Sequence, residues 1–182
     1  MPGPAAGPAE RPPGERLTPH ERCGSFHGDA LKSKERTVVS IKVLFTAHAT
    51  ATGGRNGHTT ADDGLISVDL SIPKSMGGPG RPNTSTPEHL FAAGYAACFG
   101  SACEFASRQM KLIPKSITVR SAVGIGEAPG GGFGLVVSLE VDVSGVSQPD
   151  AEKIVAAGHQ ICPYSKAIRG NVEVTLKVTA AA

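Results

Sequence analysis

The chain has 182 residues, of which 40% are hydrophobic and 19% are charged, as in an ordinary globular protein. A net charge of +2, an aromatic content of 4% and the lack of tryptophan argue against nucleic-acid binding. The sequence contains no run of 18 apolar residues and no apolar stretch near its N-terminus. We therefore expect no transmembrane helix, no secretory signal and a cytoplasmic protein.

The first 36 residues differ in composition from the rest of the chain. Six of the fourteen prolines fall within the first nineteen residues, and apolar residues are sparse. This composition predicts a disordered tail over residues 1–36, followed by one domain over residues 37–182. Cys23 lies in the tail and is expected to have no fixed partner. Glu10 and Glu15 argue against an organelle-targeting segment, which is usually poor in acidic residues.

From residue 37 onward, apolar and polar residues alternate in five stretches. Alternation with a period of two is typical of strands that have one buried face. The predicted strands are 39–45, 66–72, 117–125, 135–143 and 172–178. The glycine-rich segment 126–134, GEAPGGGFG, predicts a hairpin loop between the third and fourth of these strands.

Two segments carry the start signals of helices. The first begins with TPE at 86–88, which supplies a capping hydroxyl, a proline and an acid in the first turn, and runs to about residue 112. The second begins with SQPD at 147–150 and runs to about residue 161. The order of strands, long helix, hairpin, helix and strand predicts an α+β fold with antiparallel sheet.

The cysteines are the first candidates for chemistry. Cys98 and Cys103 lie on one predicted helix, about 8.6 Å apart and about 140° around its axis, so they cannot form a disulfide without unwinding it. Cys162 ends the second helix beside a proline, where a thiol can move. If two cysteines act together, we expect them to be Cys98 and Cys162.

Two other interpretations of these thiols remain open. A zinc site would use Cys98, Cys103, His159 and Cys162, but the angular offset between the first two argues against it. Alternatively, all the thiols are small buried hydrophobic residues, which is a common role for free cysteine.

Two charged residues also have alternative interpretations. Arg55 lies in TATGGRNGHT, where glycines would let the backbone aim a long cation inward, although these residues alone favour a solvated turn arginine. Glu88 is an acid in the first turn of a helix, a position that the helix dipole favours without any functional role.

Three long motifs, in order, resemble a known family. ATATGGRNG, SMGGPGRPNTSTPEHLFAAGYAACF and GHQICPYSKAIRGNVEV closely resemble the organic hydroperoxide resistance (Ohr) branch of the OsmC/Ohr family, over residues 38–179. The resemblance implies antiparallel sheets wrapped around long central helices in an intertwined homodimer. It also implies a cysteine-based peroxidase that uses no metal or other cofactor and is re-reduced by an external dithiol, either a lipoylated protein or dihydrolipoamide.

The same resemblance implies roles for individual residues. Cys98 matches the peroxidatic cysteine and Cys162 the resolving one, Arg55 matches the arginine that holds the thiolate, and Glu88 matches the acid that orients this arginine. The residue chemistry agrees, because only a thiolate attacks an O–O bond well and a buried thiol needs a nearby cation to ionise. Cys103 matches no functional position of the family.

An apolar slot for an alkyl or fatty-acid hydroperoxide is predicted around the nucleophile, lined by Phe91, Phe99 and Ile161. A different class of function is a non-catalytic thiol redox sensor or binding module of the same fold. Such a sensor would consume about one equivalent of peroxide, whereas an enzyme would turn over many.

The position of Glu88 raises a geometric question. Ten residues of continuous helix place it about 15 Å from Cys98 along the axis. Either the helix breaks near Gly94, or Glu88 acts on the thiol of a second subunit. We expect the second arrangement, since the small residues of this helix favour close contact between two copies.

Overall fold

The computed structural model describes residues 40–181, so the predicted tail over 1–36 and Cys23 lie outside the described residues. The elements in chain order are β1 (Ala49–Thr52), β2 (His58–Ala61), β3 (Ser67–Asp69), α1 (Pro87–Gln109), β4 (Ser116–Glu127), β5 (Phe133–Ser144), α2 (Gln148–Ile161), α3 (Pro163–Ile168) and β6 (Glu173–Ala181). No helix within residues 40–181 is both long and apolar enough to cross a bilayer.

The larger sheet has the order β4-β5-β6 and forms one wall of the core. β4 and β5 pair antiparallel along their whole length, with Val119 opposite Val141 and Val123 opposite Val137. The helices α1 and α2 pack on this sheet through α1–β4 and α2–β6 contacts. The α+β class predicted from the alternation and the hairpin loop is confirmed.

β6 pairs with β5 in parallel, in contrast to the other strand pairs of the two sheets. A parallel neighbour requires a crossover connection, and here α2 and α3 supply it. The sequence pattern of β6 could not distinguish the two directions, because alternation is the same in parallel and antiparallel strands.

α1 begins and runs as its sequence predicts. Thr86 is its N-cap and accepts a hydrogen bond from the backbone N–H of His89, and Pro87 occupies the first turn. The helix continues without a break through Gly94, so the interpretation that it breaks there is wrong. It ends at Gln109, earlier than the predicted residue 112, because the chain reverses at Lys111 with a φ of 57°.

One stripe of α1 is left uncovered in the single chain. At intervals of four residues, the exposed side chains are His89, Ala93, Ala97, Ser101 and Phe105. Residues spaced by four lie on the same face of a helix. The opposite faces of α1 are buried against the sheet and α2, so this face is the one available to another molecule.

The segment around Cys162 differs from its prediction. α2 follows the predicted cap, Ser147, and ends at Ile161, but a second helix begins two residues later. After Cys162, whose φ of −55° and ψ of 124° are not helical, α3 begins with Pro163 in its first turn. Proline ends a helix that precedes it and also favours the start of a new one, and the sequence analysis considered only the first effect.

No strand is present over residues 40–45, which are the described part of the predicted strand 39–45. Ile41, Val43 and Phe45 are 79%, 70% and 84% exposed. Their alternation indicates a strand with one buried face, but a strand needs a hydrogen-bonded neighbour and an apolar surface to cover it.

The smaller sheet is antiparallel, with the order β1-β2-β3. Its third strand shortens the predicted 66–72 to Ser67–Asp69. β1 and β2 were not predicted, because their sequences, ATAT and HTTA, show no alternation of large apolar and polar residues.

We predict that Gly158→Ala destabilises the fold. A Cβ at Gly158 in α2 would lie 2.6 Å from the Cys103 sulfur in α1, which is too close for an ordinary contact. Overpacking of this kind costs about 1–3 kcal/mol, partly offset by the better helix propensity of alanine. The free energy of unfolding in denaturant should fall, and a Gly158→Ala/Cys103→Ala double variant should recover part of the loss.

Gly126→Ala is the matched control, since a Cβ there meets no atom within 4 Å. Its free energy of unfolding should stay close to that of the wild type. Equal stability of Gly158→Ala and Gly126→Ala would contradict the tight contact between α1 and α2.

Candidate active site at the paired thiols

The sulfurs of Cys98 and Cys162 lie 3.6 Å apart without a disulfide between them. Cys98 is in the middle of α1, and Cys162 occupies the non-helical junction between α2 and α3. Cys162 is fully buried, whereas Cys98 is partly exposed. The fold therefore brings together two thiols that are 64 residues apart in sequence, at a distance that a small movement would close into a disulfide.

The environment of Cys98 disfavours its charged form. Burial is the largest influence and raises the pKa of the Cys98 thiol, and the neighbouring Cys162 thiol raises it further. The backbone N–H of Tyr164 donates to the Cys98 sulfur and lowers the pKa in opposition. Burial has the larger effect, so within one chain the Cys98 thiol is mostly protonated at neutral pH.

Cys103 fits the interpretation of a small buried hydrophobic residue. It has no exposed surface, and burial raises the pKa of its thiol to about 12. Among residues 40–181, no three His, Cys, Asp or Glu side chains are grouped so that they could hold a metal ion. The set considered for zinc, Cys98, Cys103, His159 and Cys162, is therefore not a metal cluster in this fold.

Arg55 and Glu88 form a two-pronged ion pair. The guanidinium nitrogens of Arg55 donate to the two carboxylate oxygens of Glu88 at 2.9 and 2.6 Å. These hydrogen bonds hold the pKa of Glu88 below its ordinary value, against an opposing effect of burial. Arg55 is thus not a free turn residue. It is an arginine whose direction is fixed by the first turn of α1.

The thiol pair and the ion pair lie apart within the chain. Glu88 and Cys98 are ten residues apart on the unbroken helix α1, which separates them by about 15 Å along its axis. Arg55 is held at the Glu88 end of this helix. Within one chain, the paired sulfur atoms and the ion pair are therefore two separate groups.

An apolar cavity of about 340 Å³ opens beside the ion pair. Besides Arg55 and Glu88, its lining includes Phe91, Val123, Ile125, Phe133 and Leu135. Phe91 thus faces a space that a ligand can enter, although this cavity lies beside the ion pair and not around Cys98. Phe99 has no exposed surface and lies in the core, and Ile161 is 36% exposed at the end of α2.

Three residues beside the thiols were missed by the sequence analysis. The hydroxyls of Tyr95 and Ser165, both fully buried, hydrogen-bond to each other at 2.8 Å. Tyr95 precedes Cys98 by three residues and Ser165 follows Cys162 by three, so this bond joins α1 to α3 one turn away from the sulfurs. The ring of Tyr164 covers Gly94, where an added Cβ would lie 3.3 Å from it.

The signal for these residues was present in the sequence but could not be interpreted alone. A tyrosine or serine one turn from a candidate cysteine is common in any helix. Only the antiparallel approach of α1 and α3 pairs the tyrosine with the serine, and that approach is a tertiary feature.

The chain is similar in sequence and in fold to proteins of one family. Residues 78–177 match the family model described as OsmC-like protein. An organic hydroperoxide resistance protein from Xanthomonas axonopodis pv. citri is 50% identical over 136 residues, which cover 74% of this chain and 94% of the relative. A crystal structure of an organic hydroperoxide resistance protein from Elizabethkingia anophelis has 45% identity and a TM-score of 0.72, covering 78% of this chain and 100% of that chain.

A second solved structure, from Legionella pneumophila, is described as an organic hydroperoxide resistance protein OsmC. It has 46% identity and a TM-score of 0.71, and the match covers 76% of this chain and 99% of that chain. The similarity spans almost the full length of each of these relatives.

We predict that Tyr95 and Ser165 are coupled in stability. Tyr95→Phe leaves the buried Ser165 hydroxyl without its partner, and an unsatisfied buried polar group costs about 1–3 kcal/mol. Ser165→Ala has the reverse effect on Tyr95. The double variant should be less destabilised than the sum of the two, with a coupling of about 1 kcal/mol in the free energy of unfolding.

Ser116→Ala provides a control, because the Ser116 hydroxyl bonds that of Ser144 in an exposed position. Its loss should change the free energy of unfolding by less than either buried substitution. Strict additivity of Tyr95→Phe and Ser165→Ala would contradict the coupling.

Proposed function

Because the chain belongs to the organic hydroperoxide resistance branch of the OsmC-like family, we propose that it is a cysteine-based peroxidase that reduces organic hydroperoxides to alcohols. The observation that carries the proposal is the 3.6 Å separation of the Cys98 and Cys162 sulfurs. A thiol that attacks a peroxide needs a second thiol within reach to complete the cycle without a metal or a flavin.

The reaction follows from the two thiols. The Cys98 thiolate attacks the outer peroxide oxygen, the O–O bond breaks, and the alkoxide leaves as an alcohol after it takes up a proton. Cys98 is then a sulfenic acid. The Cys162 sulfur attacks the Cys98 sulfur, water leaves, and a disulfide forms at an S–S length of about 2.05 Å. We propose that an external dithiol, dihydrolipoamide or a lipoylated protein, reopens it by exchange.

The thiolate requires a cation that its own chain does not bring near. Burial raises the pKa of Cys98, and Arg55 is held by Glu88 at the other end of a continuous stretch of α1. We infer that a homodimer completes the site, with Cys98 and Cys162 from one subunit and Arg55 and Glu88 from the other. A guanidinium stays charged at all relevant pH values, so it can stabilise the thiolate without titrating itself.

Two exposed surfaces support the homodimer. The stripe of α1 that contains Ala93, Ala97 and Ser101 has small side chains that allow another helix to approach closely. The segment with Ile41, Val43 and Phe45 has strand alternation but is exposed in the single chain. A second subunit that covered both surfaces would explain why the sequence encodes a buried strand that one chain does not form.

The apolar cavity beside Arg55 favours organic substrates. Its lining by Phe91, Ile125 and Phe133 would take up the alkyl group of a hydroperoxide whose peroxide group reaches the cation. Burial of each methylene contributes about 0.8 kcal/mol, so a few of them give a preference of tenfold or more over hydrogen peroxide.

Steady-state peroxide consumption tests the proposal. With dihydrolipoamide present, the protein should consume many equivalents of cumene hydroperoxide, with a kcat/KM at least tenfold above that for hydrogen peroxide, and with glutathione it should be much slower. Consumption of about one equivalent per thiol pair would instead indicate the redox sensor. Equal kcat/KM for the two peroxides would contradict the apolar slot.

Cysteine variants separate the two thiol roles. Cys98→Ser should abolish turnover, and Cys162→Ser should stop after one cycle with Cys98 trapped as sulfenic acid, detectable by mass after dimedone labelling. Cys103→Ala is the matched control and should turn over at nearly the wild-type rate, since the Cys103 sulfur packs against α2. Wild-type activity of Cys98→Ser would overturn the proposal.

Heterodimers test whether the site is shared between subunits. A Cys98→Ser subunit and a Glu88→Ala subunit, carrying different affinity tags, are allowed to exchange, and the heterodimer is purified through both tags. If Glu88 acts across the interface, one site carries both lesions and the other is intact, so activity should be about half that of the wild type.

The control heterodimer combines Cys98→Ser with Cys162→Ser, which act in the same subunit. Each of its sites then carries one lesion, and it should remain without turnover. If the first heterodimer is as inactive as this control, Glu88 and Cys98 of the same chain form one site.

A further inference from the structure

The turn that carries Arg55 is held from outside by another arginine. Arg55 is the central residue of the 3-10 turn Gly54–Asn56, between β1 and β2. Gly53 and Gly54 have φ values of 74° and 53°, a left-handed backbone that glycine adopts without strain. A short glycine-rich turn does not fix its own position, so the direction of Arg55 depends on contacts with the rest of the chain.

Besides the ion pair of Arg55 with Glu88, Arg81 makes a contact of this kind. Its Nη2 donates to the backbone carbonyl of Asn56 at 2.6 Å and to that of Leu70 at 2.7 Å. Its own backbone N–H donates to the Ser71 hydroxyl at 3.1 Å. One guanidinium nitrogen of Arg81 thus links Asn56, which follows Arg55, to Leu70, which follows β3.

Two further hydrogen bonds lie beside this contact. The side-chain oxygen of Asn56 accepts from the backbone N–H of Ile72 at 3.0 Å, and the carbonyl of Gly57 accepts from the N–H of Leu70 at 2.8 Å. Arg81 is the long-range cation in this network, and it belongs to the glycine-rich segment that leads into α1. It lies seven residues before Glu88, so its two bonds tie the segment bearing Glu88 to the segment bearing Arg55.

We propose that Arg81 is a positioning residue for the thiol chemistry, acting through Arg55. It holds the Arg55 turn in the place from which the guanidinium reaches both Glu88 and the reacting sulfur. This inference rests on the proposed function, because it assigns Arg81 to the same reaction. Arg81 itself touches neither the substrate nor the thiols.

The chemistry of the contact favours arginine over lysine. Two carbonyls from different segments are bridged by one rigid planar group, whereas an ammonium on a flexible stem holds neither in a fixed direction. Hydrogen bonds from a charged donor are also stronger than those between neutral groups. Arg81→Lys should therefore retain the charge but lose much of the positioning.

The test compares four variants: Arg55→Ala, Arg81→Ala, Arg81→Lys and Arg55→Ala/Arg81→Ala. The first readout is kcat/KM for cumene hydroperoxide with dihydrolipoamide. The second is the pH midpoint of iodoacetamide alkylation at Cys98, followed by mass spectrometry, which needs no turnover. Arg120→Ala is the matched control, since Arg120 pairs with Asp142 at an exposed position on the larger sheet.

Arg81→Ala should lower kcat/KM about tenfold, since small misplacements of a catalytic group have effects of this size or larger. It should also move the alkylation midpoint upward, in the direction caused by Arg55→Ala, because the thiolate loses its cation for part of the time. Arg81→Lys should lie between Arg81→Ala and the wild type. Arg120→Ala should match the wild type in both readouts.

The double variant is decisive. If Arg81 acts through Arg55, adding Arg81→Ala to Arg55→Ala should cause no further loss in kcat/KM and no further shift of the midpoint. Equal factors of loss with and without Arg55, or an Arg81→Ala protein with the wild-type profile, would overturn the inference. A wild-type protein without turnover would contradict the proposed function instead, while the alkylation profiles would still decide the role of Arg81.

Discussion

The continuous helix α1 separates the ion pair of Arg55 and Glu88 from the thiols of Cys98 and Cys162 within one chain. α1 runs unbroken from Pro87 to Gln109, and it holds Glu88 and Cys98 about 15 Å apart along its axis. No rotation of a side chain closes such a distance. In the proposed dimer, two copies of α1 lie side by side and bring the cation that Glu88 holds to the sulfur of Cys98. The exposed small residues on one face of this helix suit that arrangement.

The same division resolves a conflict between burial and charge. A nucleophilic thiol is protected by apolar surroundings, but these surroundings raise the pKa of Cys98 and suppress the thiolate that reacts. The ion pair of Arg55 and Glu88 keeps a guanidinium ordered in a partly buried place. In the proposed dimer, the thiol would gain its charge partner only after assembly, so reactivity and association would be linked.

Local sequence signals predicted the elements well where one chain satisfies them. The caps at Thr86 and Ser147 marked the starts of α1 and α2, and the valine alternation marked β4 and β5. The segment around Ile41 and Val43 shows the limit, because its alternation predicts a strand with one buried face, whereas no strand is present there and these side chains are exposed.

The candidate site divides in the same way. The cysteines and the charged residues lie in motifs that resemble those of a known family, and this resemblance indicated them as candidates. Tyr95 with Ser165, and Arg81 with Asn56, are paired only by the approach of segments that are distant in the chain. Nothing in their own neighbourhood in sequence indicates these partners, so sequence reasoning could not have found them.

The backbone at Cys162 has a consequence for how far a redox change can spread. This residue follows α2 and precedes α3, and its dihedral angles are not helical, so it separates the two helices. Rotation of the Cys162 side chain can carry the sulfur toward Cys98 while the backbone hydrogen bonds of this residue to Gly158 and Lys166 persist. A redox sensor needs two overall conformations that a partner can distinguish. A movement confined to one residue leaves the overall conformation unchanged. This suits a molecule that repeats a reaction cycle better than it suits a redox sensor.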